Sequence, residues 1–297
     1  MSGGSRCCFS LLTLLAEVLL FGSVALVVAW CLKYRGGFAW TEDPNLQFNL
    51  HPVLMVSGFI FFAGHAMLTY RQWRCCNHST IKLVHTLYHI MAIPCIAVGL
   101  IAVFDFHNNK KPTPIPNLYS LHSWMGLVTV GLYGLQFIVG FFSFLFLLCC
   151  DTATASFRAA LVPVHSSFGI TTFFLAVATC LTGLTEKVLF TIRDTYQSLG
   201  EEPIVVNVFA MCLVLVAIVM SVLLLLDRFR QNTERPHPRQ QAARGLSPDT
   251  YSSMPDEGLV VNALGCTLVA ALVVISVITS QNVFRQSRAH GGIATEL

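Results

Sequence analysis

A long apolar run near the end of the chain shows most clearly what decides its fold. Residues 204–226 read IVVNVFAMCLVLVAIVMSVLLLL, without one charged side chain. A helix needs about 20 mostly apolar residues to cross the hydrocarbon core of a bilayer. Five further runs have the same character, at 10–32, 50–70, 84–104, 122–148 and 164–184. Because lipid admits only helices and closed barrels, we expect an all-α integral membrane protein built as a six-helix bundle.

The composition agrees with a membrane location. Of the 297 residues, 55% are hydrophobic and 11% are charged, whereas a soluble domain is about 25% charged. This excludes a disordered chain, a nucleic-acid module and most soluble enzymes. The net charge of +3 is too small to define a surface that binds polyanions. The 11 cysteines are odd in number and dispersed, so they indicate no disulfide framework.

A duplicated segment ends the chain. The stretch DTYQSLGEEPIVVN at 194–207 returns as DTYSSMPDEGLVVN at 249–262, and an apolar run follows each copy. The organisation that we predict is a transmembrane domain at 1–226, a polar flexible linker at 227–258, a duplicated apolar helix at 259–280 and a tail at 281–297. The duplicated helix either spans the membrane as a seventh helix or results from two alternative exons retained together.

Basic residues set the expected orientation. The short loops alone do not decide it, because both sides carry lysine and arginine. The stretch after the sixth run adds five arginines, at positions 228, 230, 235, 239 and 244. Since basic residues accumulate on the cytoplasmic side, this stretch favours a cytosolic N-terminus.

Four histidines begin four consecutive apolar runs. His51 and His122 begin the second and fourth, and His85 and His165 begin the third and fifth. Consecutive helices run in opposite directions, so the first two histidines lie at the outer side and the last two at the inner side. The pattern therefore predicts two histidine pairs, one in each leaflet.

Paired histidines on facing helices are typical of haem binding within a bundle. Glycines near the ligand faces (Gly58, Gly99, Gly126 and Gly169) would allow a flat porphyrin to approach, although membrane helices also use glycine simply to pack. The alternatives are hydrogen-bonded core histidines, a structural zinc, which would want four ligands close together, and a non-haem transporter in which histidines relay protons. The last predicts no bound chromophore.

The sequence gives weaker indications of a role for several further ionisable residues. His89 lies one turn beyond His85 and is either a rival ligand or a supporting group, and we expect His65 to be hydrogen-bonded to a neighbour. Glu17 lies within the first run, where pairing or contact with the interface is the simplest role. His107, beside Asp105 in an outer loop, would bind a metal ion or a substrate, or be solvated.

Three basic residues lie near the inner pair. Arg71 closes the second run, Lys82 lies one turn before His85, and Arg158 lies two turns before His165. They would bind a small organic anion that gives up electrons. Ordinary positive-inside anchoring and pairing with haem propionates explain the same charges.

Several motifs together identify a family. They are RGGFAW at 35–40, FNLHPV at 48–53, YR at 70–71, YSLHSW at 119–124, PVH at 163–165 and GLTEK at 183–187. On these motifs the chain resembles the cytochrome b561 family of ascorbate-dependent transmembrane reductases, over about residues 10–226. The stretch from Phe157 to His165 and the GLTEK motif look most like duodenal cytochrome b, a ferric reductase, and the lysosomal and chromaffin-granule members are close to it.

The resemblance implies a four-helix core at 50–184 that holds two b haems, the outer on His51 and His122 and the inner on His85 and His165. No catalytic residue is expected beyond the haems. Cytosolic ascorbate would be the donor, near Arg71, Lys82 and Arg158. The acceptor would be ferric iron or monodehydroascorbate, bound outside by residues drawn from four positions: His107, Asn117, Tyr119 and Trp124.

The resemblance also implies a location. An apical plasma membrane is expected for a ferric reductase, and a lysosomal or secretory-vesicle membrane for an electron shuttle that regenerates ascorbate. A homodimer is compatible with either. The family has six helices, so the duplicated unit at 259–280 departs from its pattern.

Overall fold

The computed structural model describes residues 3–72, 76–145 and 151–234. Within these ranges the chain is helical and has no strand. The helices are α1 (Gly3–Tyr34), α2 (Pro44–Phe48), α3 (Leu50–Met55), a π-helical segment (Val56–Phe62), α4 (Ala63–Gln72), α5 (His78–Asn109), α6 (Leu121–Gly140), a second π-helical segment (Phe141–Leu145), α7 (Asp151–Thr191), a 3-10 turn (Tyr196–Ser198) and α8 (Glu201–Glu234).

Six stretches are long and apolar enough to cross a membrane, as the sequence predicts. They are Cys8–Tyr34, Pro44–Gln72, Ser79–Asn109, Leu121–Leu145, Ala153–Thr191 and Glu201–Leu226, here called the first to sixth spanning helices. The second consists of α2, α3, the first π-helical segment and α4. The prediction of an all-α six-helix membrane bundle is confirmed. We call the end with His51 and His122 the outer end, and the end with His85 and His165 the inner end.

Local sequence signals explain where several helices begin and end. The Asn77 side chain caps α5 by accepting from the Thr80 amide at 2.8 Å, and Ser120 forms a capping box with Ser123 before α6. Such caps satisfy amides that have no partner within the helix. The first helix stops at two glycines, Gly36 and Gly37, whose φ angles of 82° and 88° suit residues without a Cβ.

Helix pairing places the core between the first, second, fifth and sixth spanning helices. The most enclosed side chains include Leu20 from α1, Ile60 from the π-helical segment, Phe174 from α7 and Leu213 from α8. Many other large apolar side chains stay exposed on the outside of the bundle, where lipid takes the place of water. Each apolar helix therefore has one face that packs in the core and one that contacts lipid, although both faces have similar composition.

Polar contacts join the first and sixth helices at the outer end. The Trp30 indole donates to Glu202 at 2.9 Å, and the Arg35 guanidinium approaches the same carboxylate at 2.6 Å. Lys33 and Glu201 form a second pair at 2.8 Å, which is largely exposed. The sixth helix is thereby fixed beside the first.

The first copy of the repeated segment forms the turn into α8. The Tyr196 hydroxyl donates to the Asn207 side chain at 2.6 Å, and both residues recur in the second copy as Tyr251 and Asn262. The helix continues to Glu234, past the predicted start of the linker at 227. The rest of the linker, the duplicated helix at 259–280 and the tail at 281–297 lie outside the described residues.

Candidate functional site: two histidine pairs and an outer cavity

The outer histidine pair joins the second and fourth spanning helices. The ring centroids of His51 and His122 are 6.1 Å apart. His51 Nδ1 lies 3.0 Å from the Gly99 carbonyl oxygen, and His122 Nδ1 lies 2.9 Å from that of Thr179. A carbonyl only accepts, so each Nδ1 donates its hydrogen and Nε2 keeps the lone pair that a metal needs.

The inner pair joins the third and fifth spanning helices. The ring centroids of His85 and His165 are 6.4 Å apart. His85 Nδ1 donates to the Ala66 carbonyl at 2.9 Å. His165 Nδ1 is buried with no hydrogen-bond partner among the described residues, and the Phe144 ring lies 5.2 Å from its ring. The structure therefore forms the two pairs that the spacing predicts, at opposite ends of the bundle.

The remaining buried histidines have other partners. His89 Nδ1 lies 2.7 Å from the Tyr133 hydroxyl, and its ring is 4.6 Å from that of His85, so it lies directly beside the inner pair. His65 Nδ1 donates to the Phe61 carbonyl at 2.7 Å, and its Nε2 lies 2.8 Å from the Glu17 carboxylate. The pairing expected for Glu17 and His65 is present, and they pair with each other.

The glycines that come closest to the paired histidines were not predicted to contact them, although Gly183 lies in the GLTEK motif. A Cβ on Gly183 would lie 2.6 Å from the His122 ring, and one on Gly140 would lie 2.8 Å from the His165 ring. Gly58 and Gly99 instead pack against neighbouring helices, near Ile96 and Leu54. The His122 and His165 rings are thus each seated against a glycine of the neighbouring helix, a relationship that no spacing within one helix reveals.

Gly126 and Gly169 have more room around them. A Cβ on Gly126 would lie 3.7 Å from the Thr179 side chain, and one on Gly169 would meet nothing within 4 Å. Gly126 lines the cavity described next.

A cavity of about 690 Å³ lies beside the outer pair. His51 and His122 line it, together with mainly apolar side chains from all six spanning helices. Phe59, on the π-helical segment, also lines it, and the Phe59 ring is 5.1 Å from that of Tyr133. The cavity lies within the range of about 300–1,000 Å³ that ligand sites occupy.

Three of the four predicted outer acceptor residues line this cavity. His107 Nδ1 lies 3.1 Å from the Asn117 side-chain oxygen, and Asn117 donates to Asn108 at 2.9 Å. The Tyr119 ring lies 6.4 Å from that of His107. Burial, followed by the nearby Glu186 carboxylate, raises the pKa of the Tyr119 phenol, which therefore stays protonated and able to donate.

The fourth predicted acceptor residue lies elsewhere. Trp124 is 59% exposed and is absent from the cavity lining. It follows His122 by two positions, so the helix turns its side chain to the outside, where tryptophan suits the membrane interface. Charged lining residues that the acceptor prediction did not include are Lys110, Glu186 and Lys187; the GLTEK motif already contained the last two.

The three predicted basic residues lie at the inner end. Arg71 is in the last turn of α4 and donates to the Met67 carbonyl. Lys82 is in the first turns of α5 and is half-buried. Arg158 is only 8% exposed.

Comparison with known proteins decides the family. The pattern described as "Eukaryotic cytochrome b561" matches residues 50–191, the part of the chain that carries all four paired histidines. The chain is 42% identical over 226 residues to "Transmembrane ascorbate-dependent reductase CYB561" of Pongo abelii, covering 76% of this chain and 84% of that relative. The chain belongs to the cytochrome b561 family.

Two further relatives show the spread of this cytochrome b561 family. "Plasma membrane ascorbate-dependent reductase CYBRD1" of Xenopus laevis is 38% identical over 254 residues, which is 84% of each chain. "Probable ascorbate-specific transmembrane electron transporter 1" of Oryza sativa subsp. japonica is 39% identical over 204 residues, covering 68% of this chain and 84% of the relative. The protein is therefore an integral membrane oxidoreductase of the ascorbate-dependent type, and haem b is its implied cofactor.

The residues of this cytochrome b561 fit a haem. A ring nitrogen binds a metal ion at about 2 Å, and the ring itself adds about 1 Å on each side, so centroid separations of 6.1 and 6.4 Å suit two imidazoles on opposite sides of one iron. No group of three or more metal-ligating side chains occurs in the described part of the chain. Two-residue ligation suits a porphyrin, which supplies the other four ligands, better than a structural zinc.

Proposed function

We propose that this protein moves single electrons from ascorbate at its inner end to an acceptor at its outer end, with one b haem on each histidine pair. The observation that carries the proposal is the pairing itself: two imidazole pairs at ligand separation, one at each end of the bundle. When bound, haem with two axial histidines supplies reversible one-electron chemistry without an open site for oxygen. The protein supplies position, burial and hydrogen bonds.

The inner end is proposed to bind the donor. Ascorbate is an anion at neutral pH, so Arg71, Lys82 and Arg158 would hold it by charge-assisted hydrogen bonds. On losing one electron the ascorbate monoanion also releases one proton, which passes to the aqueous side. The almost buried Arg158 would be the strongest contact, since its partner anion is shielded from water.

The outer end is proposed to bind the acceptor at the mouth of the cavity. Ferric iron, presented as a chelate, is the acceptor that we favour, because His107, Asn117 and Tyr119 bring nitrogen and oxygen groups together there. Monodehydroascorbate is the second candidate. An apical plasma membrane is the location that we favour over a lysosomal or vesicular one. The Xenopus laevis relative, which is named a plasma membrane reductase, supports the plasma membrane.

A cytosolic N-terminus is proposed with this assignment. It places the inner end, with Arg71, Lys82 and Arg158, in the compartment where a soluble anionic donor is available. A single accessible tag fused to the N-terminus tests it in intact cells. Labelling of the tag without permeabilising the cells would place the N-terminus outside and would contradict the proposed direction of electron flow.

The first measurement is a reduced-minus-oxidised visible spectrum of the purified protein, with ascorbate as reductant and the haem-to-protein ratio measured alongside. Two low-spin b haems per chain are expected. His122→Ala and His85→Ala should each leave about one haem per chain, whereas His65→Asn, a matched loss of a buried non-ligand histidine, should leave two. Well-folded protein without haem would refute the proposal and favour a transporter in which the histidines relay protons.

The acceptor is tested in vesicles loaded with ascorbate. Ferric citrate or monodehydroascorbate is added outside, and reduction of each is followed with and without Asn117→Ala. We expect ferric citrate to be reduced and the variant to slow it without changing haem content. Turnover with monodehydroascorbate alone would transfer the proposal to the ascorbate-regenerating role.

A further inference from the structure

Few charged side chains line the outer cavity. Among the lining residues that the structure describes, the charged side chains are Lys110, Glu186 and Lys187. The Lys187 ammonium lies 4.0 Å from the centroid of the Phe48 ring, on the second spanning helix. Two of these three lining side chains are cations and one is an anion.

Lys110 occupies a fixed place at the outer end of the cavity. It directly follows α5, is half-buried, and its ammonium lies 2.6 Å from the Asn45 side-chain oxygen. The same ammonium lies 5.0 Å from the centroid of the Phe106 ring. A hydrogen bond and an aromatic face together restrain the lysine side chain, so its ammonium stays in one position.

Two acids of the same region face second-helix amides. Asp43 accepts from the Asn45 amide at 2.8 Å, and Asp105 accepts from the Gln47 side chain at 3.2 Å. Both carboxylates keep their charge, but each accepts from an amide. The Lys110 ammonium donates to an uncharged oxygen and, among the described residues, forms no ion pair with an acid. No carboxylate therefore contacts Lys110 directly and competes with an anion that enters the cavity.

We propose that Lys110 is a specificity residue of the acceptor site and selects small anionic one-electron acceptors over cationic ones. This inference rests on the proposed function. A charge in a cleft with low-dielectric walls raises the local concentration of oppositely charged ligands and repels the rest. Negatively charged ferric chelates and the monodehydroascorbate anion belong to the favoured class. A hydrated ferric cation belongs to the other.

The electron balance is the same for every acceptor of this class. Ascorbate at the inner end loses one electron and one proton, and the acceptor gains one electron. A ferric chelate becomes ferrous without a proton, whereas monodehydroascorbate also takes one proton from the outer solution to become the ascorbate monoanion. Lys110 raises the occupancy of the acceptor site by anions and takes no part in the electron transfer itself.

The test compares two acceptors of opposite charge in vesicles loaded with ascorbate. Ferricyanide is an anion and hexaammineruthenium(III) is a cation, and each takes one electron. Lys110→Gln should lower kcat/KM for ferricyanide several-fold and leave unchanged or raise that for hexaammineruthenium. Lys111→Gln is the matched control, because the next lysine is exposed and does not line the cavity. The Lys110 effect should fade in high salt.

Other outcomes overturn the inference in distinguishable ways. If both lysine variants change the acceptor ratio equally, only general surface charge matters. If Lys110→Gln slows both acceptors equally and changes a haem midpoint potential, the lysine belongs to the haem and not to the acceptor. If Asn117→Ala slows both acceptors but Lys110→Gln changes nothing, the site stands and the role of Lys110 fails. If neither variant affects either acceptor, the proposed acceptor site itself fails.

Discussion

A Cβ atom added to Gly183 would lie 2.6 Å from Cε1 of the His122 ring. The two residues are on the fifth and fourth spanning helices, and Thr179, one turn before Gly183, accepts the hydrogen bond of the same ring. Gly140 stands in the same relation to His165, at 2.8 Å. Each facing glycine thus fixes how close its helix comes to a proposed iron ligand.

Gly183→Ala is therefore expected to displace the His122 ring and to lose the outer haem selectively. Gly140→Ala should act in the same way on His165 and the inner haem. The haem-to-protein ratio should fall towards one in each variant, and the surviving spectrum should differ between them. Haem content and reduced-minus-oxidised spectra measure both effects.

The control for these glycines is Gly134→Ala. Gly134 lies on the same helix as Gly140, and an added Cβ there meets nothing within 4 Å. This substitution should keep both haems, and it has a more favourable helix propensity. Equal loss of haem in all three variants would mean that the ligand contacts are unimportant.

Arg158→Gln is expected to weaken ascorbate binding. Removing one charge-assisted hydrogen bond, worth about 1.5–3 kcal/mol, should raise KM for ascorbate by about 10- to 100-fold. Stopped-flow reduction of the protein by ascorbate measures it. Dithionite should reduce the variant as well as the wild type, because the haems themselves are unaffected.

Arg193→Gln gives the matched control for Arg158, since it removes the same charge after the fifth helix, at the outer end. It should leave KM for ascorbate unchanged. Arg158→Lys should recover part of the loss, because the charge returns without the planar guanidinium. An unchanged KM in Arg158→Gln would remove this residue from the donor site.

The Glu17–His65 pair is expected to couple the first and second helices. The two side chains are 26% and 8% exposed and 2.8 Å apart, and Gln72 donates to the other carboxylate oxygen. In a double-mutant cycle of Glu17→Gln and His65→Asn, we expect an interaction energy of about 0.5–3 kcal/mol. Unfolding in mixed micelles measures it, and strictly additive effects would refute the coupling.

Two neighbouring glutamates should differ sharply in their contribution to stability. Glu202 accepts from Trp30 and pairs with Arg35, whose side chains are largely enclosed, so Glu202→Gln should cost about 1–3 kcal/mol. Glu201 pairs with Lys33 in solvent, where both side chains are mostly exposed. Glu201→Gln should leave the thermal midpoint within error of the wild type. Equal losses in the two variants would contradict this distinction.

Sequence patterns anticipated much of the site because they depend on helix direction. Alternating directions alone place His51 and His122 at one end of the bundle and His85 and His165 at the other, and packing then brings each pair together. Trp124 shows where this reasoning stops: it shares a motif with Tyr119 and His122, yet its helix turns it away from the cavity. Membership of a motif does not say which face of a helix a residue occupies when every face is apolar.

The sequence by itself determined the six spanning helices, the four paired histidines and the family. Each depends on apolar length, residue type and order along the chain, all of which are local. Only the tertiary structure decided that Glu17 meets His65, that Gly183 and Gly140 face ligand rings, and that Lys110 is fixed at the cavity rim. These relationships join different helices, and rotation of each helix about its axis is set by packing, which composition does not encode.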